Sequence, residues 1–152
     1  MWRWIHSEAP VQKSDWEHQI GYVIELIKEH NFEVLEKPGM ADQVNLDECC
    51  VYINSSCWPE TRFYTLLHEY GHMEIWLNGG HDGELPLYVH AESHDGRRAG
   101  SNAYKVSLLG EEYEAWRLGR RLAREHGLHV DDDKFNRHMT DALMSYIQTA
   151  AR

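Results

Sequence analysis

Pro59-Glu60-Thr61-Arg62-Phe63-Tyr64-Thr65-Leu66-Leu67-His68-Glu69-Tyr70-Gly71-His72 is the stretch from which the rest of the chain can be read. Pro59 suits the first turn of a helix, where its missing N–H would have had no partner and its φ is already set. Phe63, Leu66, Leu67 and Tyr70 then recur at helical spacing until Asn78-Gly79-Gly80 stops the pattern, which predicts a helix from Pro59 to Asn78. Within it, His68-Glu69-Tyr70-Gly71-His72 has the form H-E-x-x-H. Helical positions four apart differ by about 40° in azimuth, so both imidazoles leave one face and can converge on a single ion. Glu69 sits beside them and suits a general base that takes a proton from metal-held water.

Working outward, Ser14-Asp15-Trp16-Glu17 has the form of a capping box, and Trp16, Ile20, Val23, Ile24 and Ile27 follow at helical spacing. This predicts a first helix over 14–30. Residues 32–37 and 49–54 are short β-prone runs separated by the Pro38-Gly39 turn signal and a polar loop, as expected for an antiparallel pair. Beyond the second helix, 85–90 reads as a short strand and 94–101 as a polar, glycine-containing loop. A third helix is predicted over 103–126, with Val106, Leu109, Tyr113, Trp116 and Leu122 inward and Gly127 as its stop. The fourth opens at Asp131-Asp132-Asp133, whose carboxylates suit a helix N-terminus, and should bury Phe135, Met139, Leu143, Tyr146 and Ile147. The expected fold is α+β and mainly helical, about four helices with a small antiparallel sheet, forming one domain over residues 1–152.

Composition agrees with a single folded domain. A chain of 152 residues, 42% hydrophobic and 26% charged, has the profile of globular proteins and not of disorder. No apolar run approaches the length that spans a bilayer, and Met1-Trp2-Arg3-Trp4-Ile5-His6 has no signal-peptide core, so a cytoplasmic, membrane-free protein is expected. Twenty-five acidic against fifteen basic residues give a net charge of −10, which disfavours direct nucleic-acid binding. The stripe Arg117, Arg120, Arg121 and Arg124 then reads as a salt-bridged surface face. Cys49, Cys50 and Cys57 form neither a disulfide framework nor a zinc ribbon and read as buried thiols. Trp2, Trp4 and Trp58 read as packing residues. Eleven histidines favour a metal site or pH-dependent charge.

A catalytic zinc needs a third protein ligand and an open position. A metzincin continuation would need glycine at 75 and histidine at 78, where this chain has Ile75 and Asn78. Glu111-Glu112-Tyr113-Glu114 on the third helix is the better source, with Glu92 and His81 as further candidates. A second metal site in His81-Asp82 and His90-Ala91-Glu92-Ser93-His94-Asp95 is a weaker reading than a polar loop.

Val51-Tyr52-Ile53-Asn54, the run from Arg62 to His72, and Glu112-Tyr113-Glu114-Ala115 together resemble the ImmA/IrrE family of small zinc metallopeptidases. In that family a strand ending in asparagine leads to an R-F-T-x-A-H-E-x-G-H helix, and a later helix carries E-x-x-A-N/D. The resemblance covers residues 50–125 in the expected order. It implies a zincin-like domain, Zn²⁺ held by His68, His72 and Glu112, and Glu69 as general base. It also implies limited cleavage of a protein substrate such as a transcriptional regulator, by a stand-alone catalytic domain of the kind found on phages and mobile elements. Glu111 is the alternative third ligand. The chain departs from the pattern at Trp116, where related sequences place a polar residue that supports a ligand histidine. An indole N–H can only donate, so Glu111 or Glu114 would have to supply that support.

Zinc at such a site lowers the pKa of bound water from about 15.7 towards about 7, and Glu69 would pass the released proton to the leaving amine. Tyr88, His90, His94 and Tyr104 lie between the two metal-binding helices, and Tyr88, His90 and Tyr104 are the candidates for contacts to substrate or transition state. Two other functions remain open: a non-catalytic zinc-binding interaction module, and a metal-dependent hydrolase of a non-peptide bond.

Overall fold

The computed structural model describes residues 10–78 and 101–152. Helix α1 (Lys13–Glu29) begins as the Asp15 carboxylate accepts a hydrogen bond from the Gln12 N–H at 2.8 Å. The cap is therefore Gln12, two residues ahead of the expected Ser14, because Asp15 and not Glu17 reaches back to the free amide. The helix buries Trp16, Gln19, Ile20, Val23 and Ile27, the stripe that its periodicity predicts.

Strands β1 (Glu33–Lys37), β2 (Gln43–Asn45) and β3 (Cys50–Asn54) form a mixed sheet in the order β1-β3-β2. The two β-prone runs do pair, but they run parallel, with Glu33 opposite Cys50 and Lys37 opposite Asn54. The expected antiparallel pairing is corrected on this point: residue alternation carries no strand direction, and the connection of about a dozen residues is long enough for a crossover. Within that connection β2 turns back against β3 as its antiparallel partner, Gln43 opposite Tyr52. β3 is thus the central strand, with Cys50, Val51 and Ile53 buried.

Helix α2 (Pro59–Leu77) has Pro59 in its first turn and stops at Asn78, as predicted. It buries Phe63, Tyr64, Leu66, Leu67, Tyr70 and Met73 against α1 and the sheet. Helix α3 (Asn102–Glu125) is capped by Ser101, whose Oγ accepts the Tyr104 N–H at 3.1 Å. It crosses α2 at very short range. A Cβ at Gly71 would lie 1.9 Å from the Ala115 carbonyl oxygen, and one at Gly119 would lie 2.2 Å from that of Leu67. Two glycines, one on each helix, therefore let the backbones touch.

Helix α4 (Asp132–Ala150) is capped by Asp131, which accepts the Lys134 N–H at 3.1 Å. Its start is clamped to α2. The Tyr64 hydroxyl donates to Glu60 at 3.0 Å and accepts the Asp131 N–H at 3.1 Å, and the Lys134 ammonium meets Glu60 at 3.1 Å. Phe135 is buried in this first turn, whereas Met139 and Leu143 are half-buried and Tyr146 and Ile147 are exposed, against expectation. On α3, Trp116 and Leu122 are buried, Leu109 is half-buried, and Val106 and Tyr113 are exposed. Val106 and Leu109 fall on the first turns of α3 and Tyr146 and Ile147 on the last turns of α4, while Tyr113 lies in the middle of α3 on its outer face; period alone overstates burial at all of them.

The expectations for the strand at 85–90, the loop at 94–101 up to Ser101, and Trp2 and Trp4 lie outside the described residues. Trp58 is exposed at 60%, with the Lys13 ammonium 6.0 Å from its ring, so it is a surface residue and not a packing one. Only Cys50 is a buried thiol; Cys49 and Cys57 are half-exposed. Three members of the arginine stripe are salt-bridged as expected: Arg117 to Glu114, Arg120 to Asp132, Arg121 to Glu74 and Glu125. Among the described residues no helix is long and apolar enough to cross a membrane.

Candidate metal centre

Helix α2 projects His68 and His72 from one face, and the close approach of α3 brings Glu112 against both. The two Nε2 atoms are 3.1 Å apart. Glu112 Oε2 is 2.9 Å from His68 Nε2, and Oε1 is 3.3 Å from His72 Nε2. Ligand atoms about 2.0–2.1 Å from a tetrahedral zinc stand about 3.3 Å from one another. Two imidazole nitrogens and a carboxylate at these separations have the composition and span of the protein side of such a site. Three atoms that carry lone pairs converge here, an arrangement that protons or a cation must hold together.

Glu69 is 5% exposed, and its carboxylate lies 3.4 Å from His68 Nδ1. His68, Glu69 and His72 form a group whose donor atoms lie within 4.8 Å of one another and which can hold a metal ion. Glu112 completes a tighter set, because it meets the two Nε2 atoms that face each other. Glu111 meets His72 from behind, at 3.6 Å from Nδ1, where it can fix the ring's tautomer. Glu114 is turned to Arg117 by two hydrogen bonds of 2.6 and 2.7 Å. The three acidic residues therefore separate as Glu112 to the centre, Glu111 behind a histidine and Glu114 to an ion pair.

The electrostatics follow from this geometry. Burial opposes a charged His72, yet the Glu111 and Glu112 carboxylates outweigh it and push the imidazole up to about 10. His68 is likewise raised, burial being overcome by Glu112 and Glu69. Burial would raise Glu112, but the two histidines hold its carboxyl well below the usual carboxylate range. In the metal-free protein protons shared among the two imidazoles and the carboxylate hold this cluster together, and a divalent ion would take their place.

Trp116 stacks on His68, with ring centroids 4.4 Å apart and planes at 15°, and its buried indole N–H has no partner among the described residues. Two further groups approach the centre without a signal in the sequence. The Tyr146 hydroxyl on α4 faces Glu112; burial first, then that carboxylate, hold it as the neutral phenol. Helical spacing marks Tyr146 only as an inward residue, although a tyrosine placed inward needs a partner for its O–H. Asp42, just before β2, accepts the Asn54 N–H at 2.7 Å and is close enough to feel the charges of Glu69 and His68. Burial leads the causes that raise its carboxyl above the usual value. Asn54 also accepts the Gly39 N–H at 2.8 Å, which makes it a fastener of the β3 end.

Tyr104 is half-buried in the first turn of α3 and lines a groove with Leu108, Leu109, Tyr146 and Ile147. The groove encloses about 480 Å³ between α3 and α4. Leu108 stands one helical turn, about 6 Å, before Glu112. Tyr88, His90, His81, Glu92, His94 and the second-site reading fall outside the described residues. Compared with known protein families, curated proteins and solved structures, the chain matches none.

Proposed function

We propose that this protein is a zinc-dependent metallopeptidase that cleaves a peptide bond in a protein substrate. The observation that supports the reading most is the triangle of His68 Nε2, His72 Nε2 and the Glu112 carboxylate, with the buried Glu69 beside it. Zn²⁺ bound there supplies a Lewis acid and a water acidic enough to lose its proton near neutrality. Glu69 accepts that proton and delivers it to the departing amine, so its carboxylate shuttles one proton and ends as it began. Tyr146, held as a neutral phenol, donates its O–H to the carbonyl oxygen as charge builds there. The apolar groove that starts one turn from Glu112 receives substrate side chains, and its size falls within the range of ligand pockets.

A cytoplasmic setting belongs to the same reading, and three free cysteines agree with a reducing compartment. A regulatory protein is the proposed substrate class, on the resemblance of the motifs. Glu69→Gln tests the whole: the variant keeps its zinc and loses cleavage, read by metal analysis and by mapping new termini in a denatured proteome. A variant with zinc and function both unchanged would instead mark a non-catalytic binding module.

A further inference from the structure

We infer that Trp116 is a positioning residue for His68: the indole face, and not a hydrogen bond, sets the plane of this ligand ring. The inference rests on the metal-centre reading given above. A histidine bound through Nε2 must be prevented from rotating about its Cβ–Cγ bond, and proteins usually do this by giving the other ring nitrogen a fixed hydrogen-bond acceptor. His72 Nδ1 has the Glu111 carboxylate as its ion-pair partner at 3.6 Å, a group with no part in the proposed proton transfer. Among the described residues, Glu69 is the group paired with His68 Nδ1, at 3.4 Å, and the proposed chemistry requires Glu69 to pick up and release a proton. A carboxylate that changes charge in each cycle is a poor fixed support.

Trp116 supplies what is missing. It lies four residues after Glu112 on α3, hence on the same face, and it is 3% exposed. Its ring covers the imidazole at 4.4 Å and 15°, an arrangement that allows in-plane contact but blocks rotation out of plane. The indole cannot yield, because the Phe135 ring meets it edge-on at 5.4 Å and 79°, and Phe135 is itself buried. Its N–H has no partner among the described residues, so no hydrogen bond among them accounts for its place beside the histidine. His72 meets the His68 ring at 69° and 4.6 Å, which leaves the Trp116 side as the flat support.

The test compares Trp116→Phe, which keeps an aromatic face, with Trp116→Leu, which fills space without one. Zinc affinity is measured by competition with a chromogenic chelator, and the His68 ring protons are followed by NMR in the metal-free and zinc-loaded proteins. A stacked aromatic ring shields those protons, so they resonate upfield in the wild type, return towards ordinary positions in the Leu variant and stay shifted in the Phe variant. Zinc affinity falls about 10–100-fold in the Leu variant, the usual cost of losing a group that orients a ligand, and recovers in the Phe variant. If the Leu variant does not fold, Trp116→Met takes its place. A Leu or Met variant that is folded and binds zinc as tightly as wild type overturns the positioning role alone. Wild-type protein that takes up no zinc overturns both this role and the metal-centre reading, and His68→Ala is then indistinguishable from it.

Discussion

Gly71 lies against the backbone of Ala115, and a methyl group added at Gly71 would stand 1.9 Å from the Ala115 carbonyl oxygen. The turn of α2 that carries His68 and His72 is therefore seated directly on α3, one turn from Glu112. Gly71→Ala must push the helices apart, at a cost of about 1–3 kcal/mol or more for overpacking a rigid contact. The expected result is a lower melting temperature together with weaker zinc uptake. Gly119→Ala, 2.2 Å from the Leu67 carbonyl oxygen, should behave alike. Gly21→Ala is the contrast: nothing lies within 4 Å of the added atom in the middle of α1, and it should stabilise by about 0.4–1 kcal/mol.

Glu112→Ala should abolish tight zinc binding, because it removes the carboxylate shared by both Nε2 atoms. Glu111→Ala removes only the group behind His72 and should weaken binding about 10–100-fold. Glu114→Ala breaks an ion pair with Arg117 and should leave zinc content unchanged. Metal analysis after gel filtration distinguishes the three. Loss of zinc in the Glu111 variant with retention in the Glu112 variant would place the third ligand one residue earlier.

The stability of the metal-free protein should depend on pH through the same cluster. His68 and His72 are raised in the folded state, so they stabilise fully below their unfolded value near 6.5, and this is lost as pH rises, through about 10 for His72. Glu112 is lowered, so its contribution is present above about 4.5 and fades as pH falls below that. Urea melts should therefore show the cluster's greatest support between about pH 4.5 and 6.5. Zinc must displace the protons on the histidines, so its affinity should rise with pH over the range where the metal-free cluster weakens. A Glu112→Gln variant should flatten the first dependence.

Tyr146→Phe should keep zinc and fold while lowering the rate of peptide cleavage about a hundredfold, the usual effect of losing one donor to a developing oxyanion. The decisive comparison is kcat against KM in the zinc-loaded variant. A loss confined to KM would assign Tyr146 to binding through the groove and not to the transition state.

The helix that carries the histidines was legible because Pro59, the apolar spacing and Asn78 all act locally, within one element. An acidic run on the next helix was legible too, since a carboxylate complements two imidazoles, but Glu112 stood out from Glu111 and Glu114 only through the resemblance of Glu112-Tyr113-Glu114-Ala115 to a family motif. What the sequence did not carry was relation between elements. β2 has one apolar residue in three and gives no pattern, and the direction of β1 against β3 depends on where the chain crosses. Tyr146 was marked as core because period reports which face turns inward, not what waits on that side. Asp42 carries no motif, and its nearness to the site comes from a loop pinned by Asn54. The stacking of Trp116 on His68 needs the α2–α3 crossing, which two unremarkable glycines set.

The clamp of Glu60, Tyr64, Asp131 and Lys134 holds only the beginning of α4, while its far end is secured by the Lys105 ammonium donating to the Ala150 carbonyl at 2.8 Å. His68, Glu69, His72 and Glu112 thus sit where α2 and α3 cross, and Tyr146 reaches them from a third helix, α4, that is fastened at both ends. Under the proposed function, displacing the tail of α4 would alter the phenol's aim and leave the chelating trio untouched, so cleavage would be throttled without surrender of the ion.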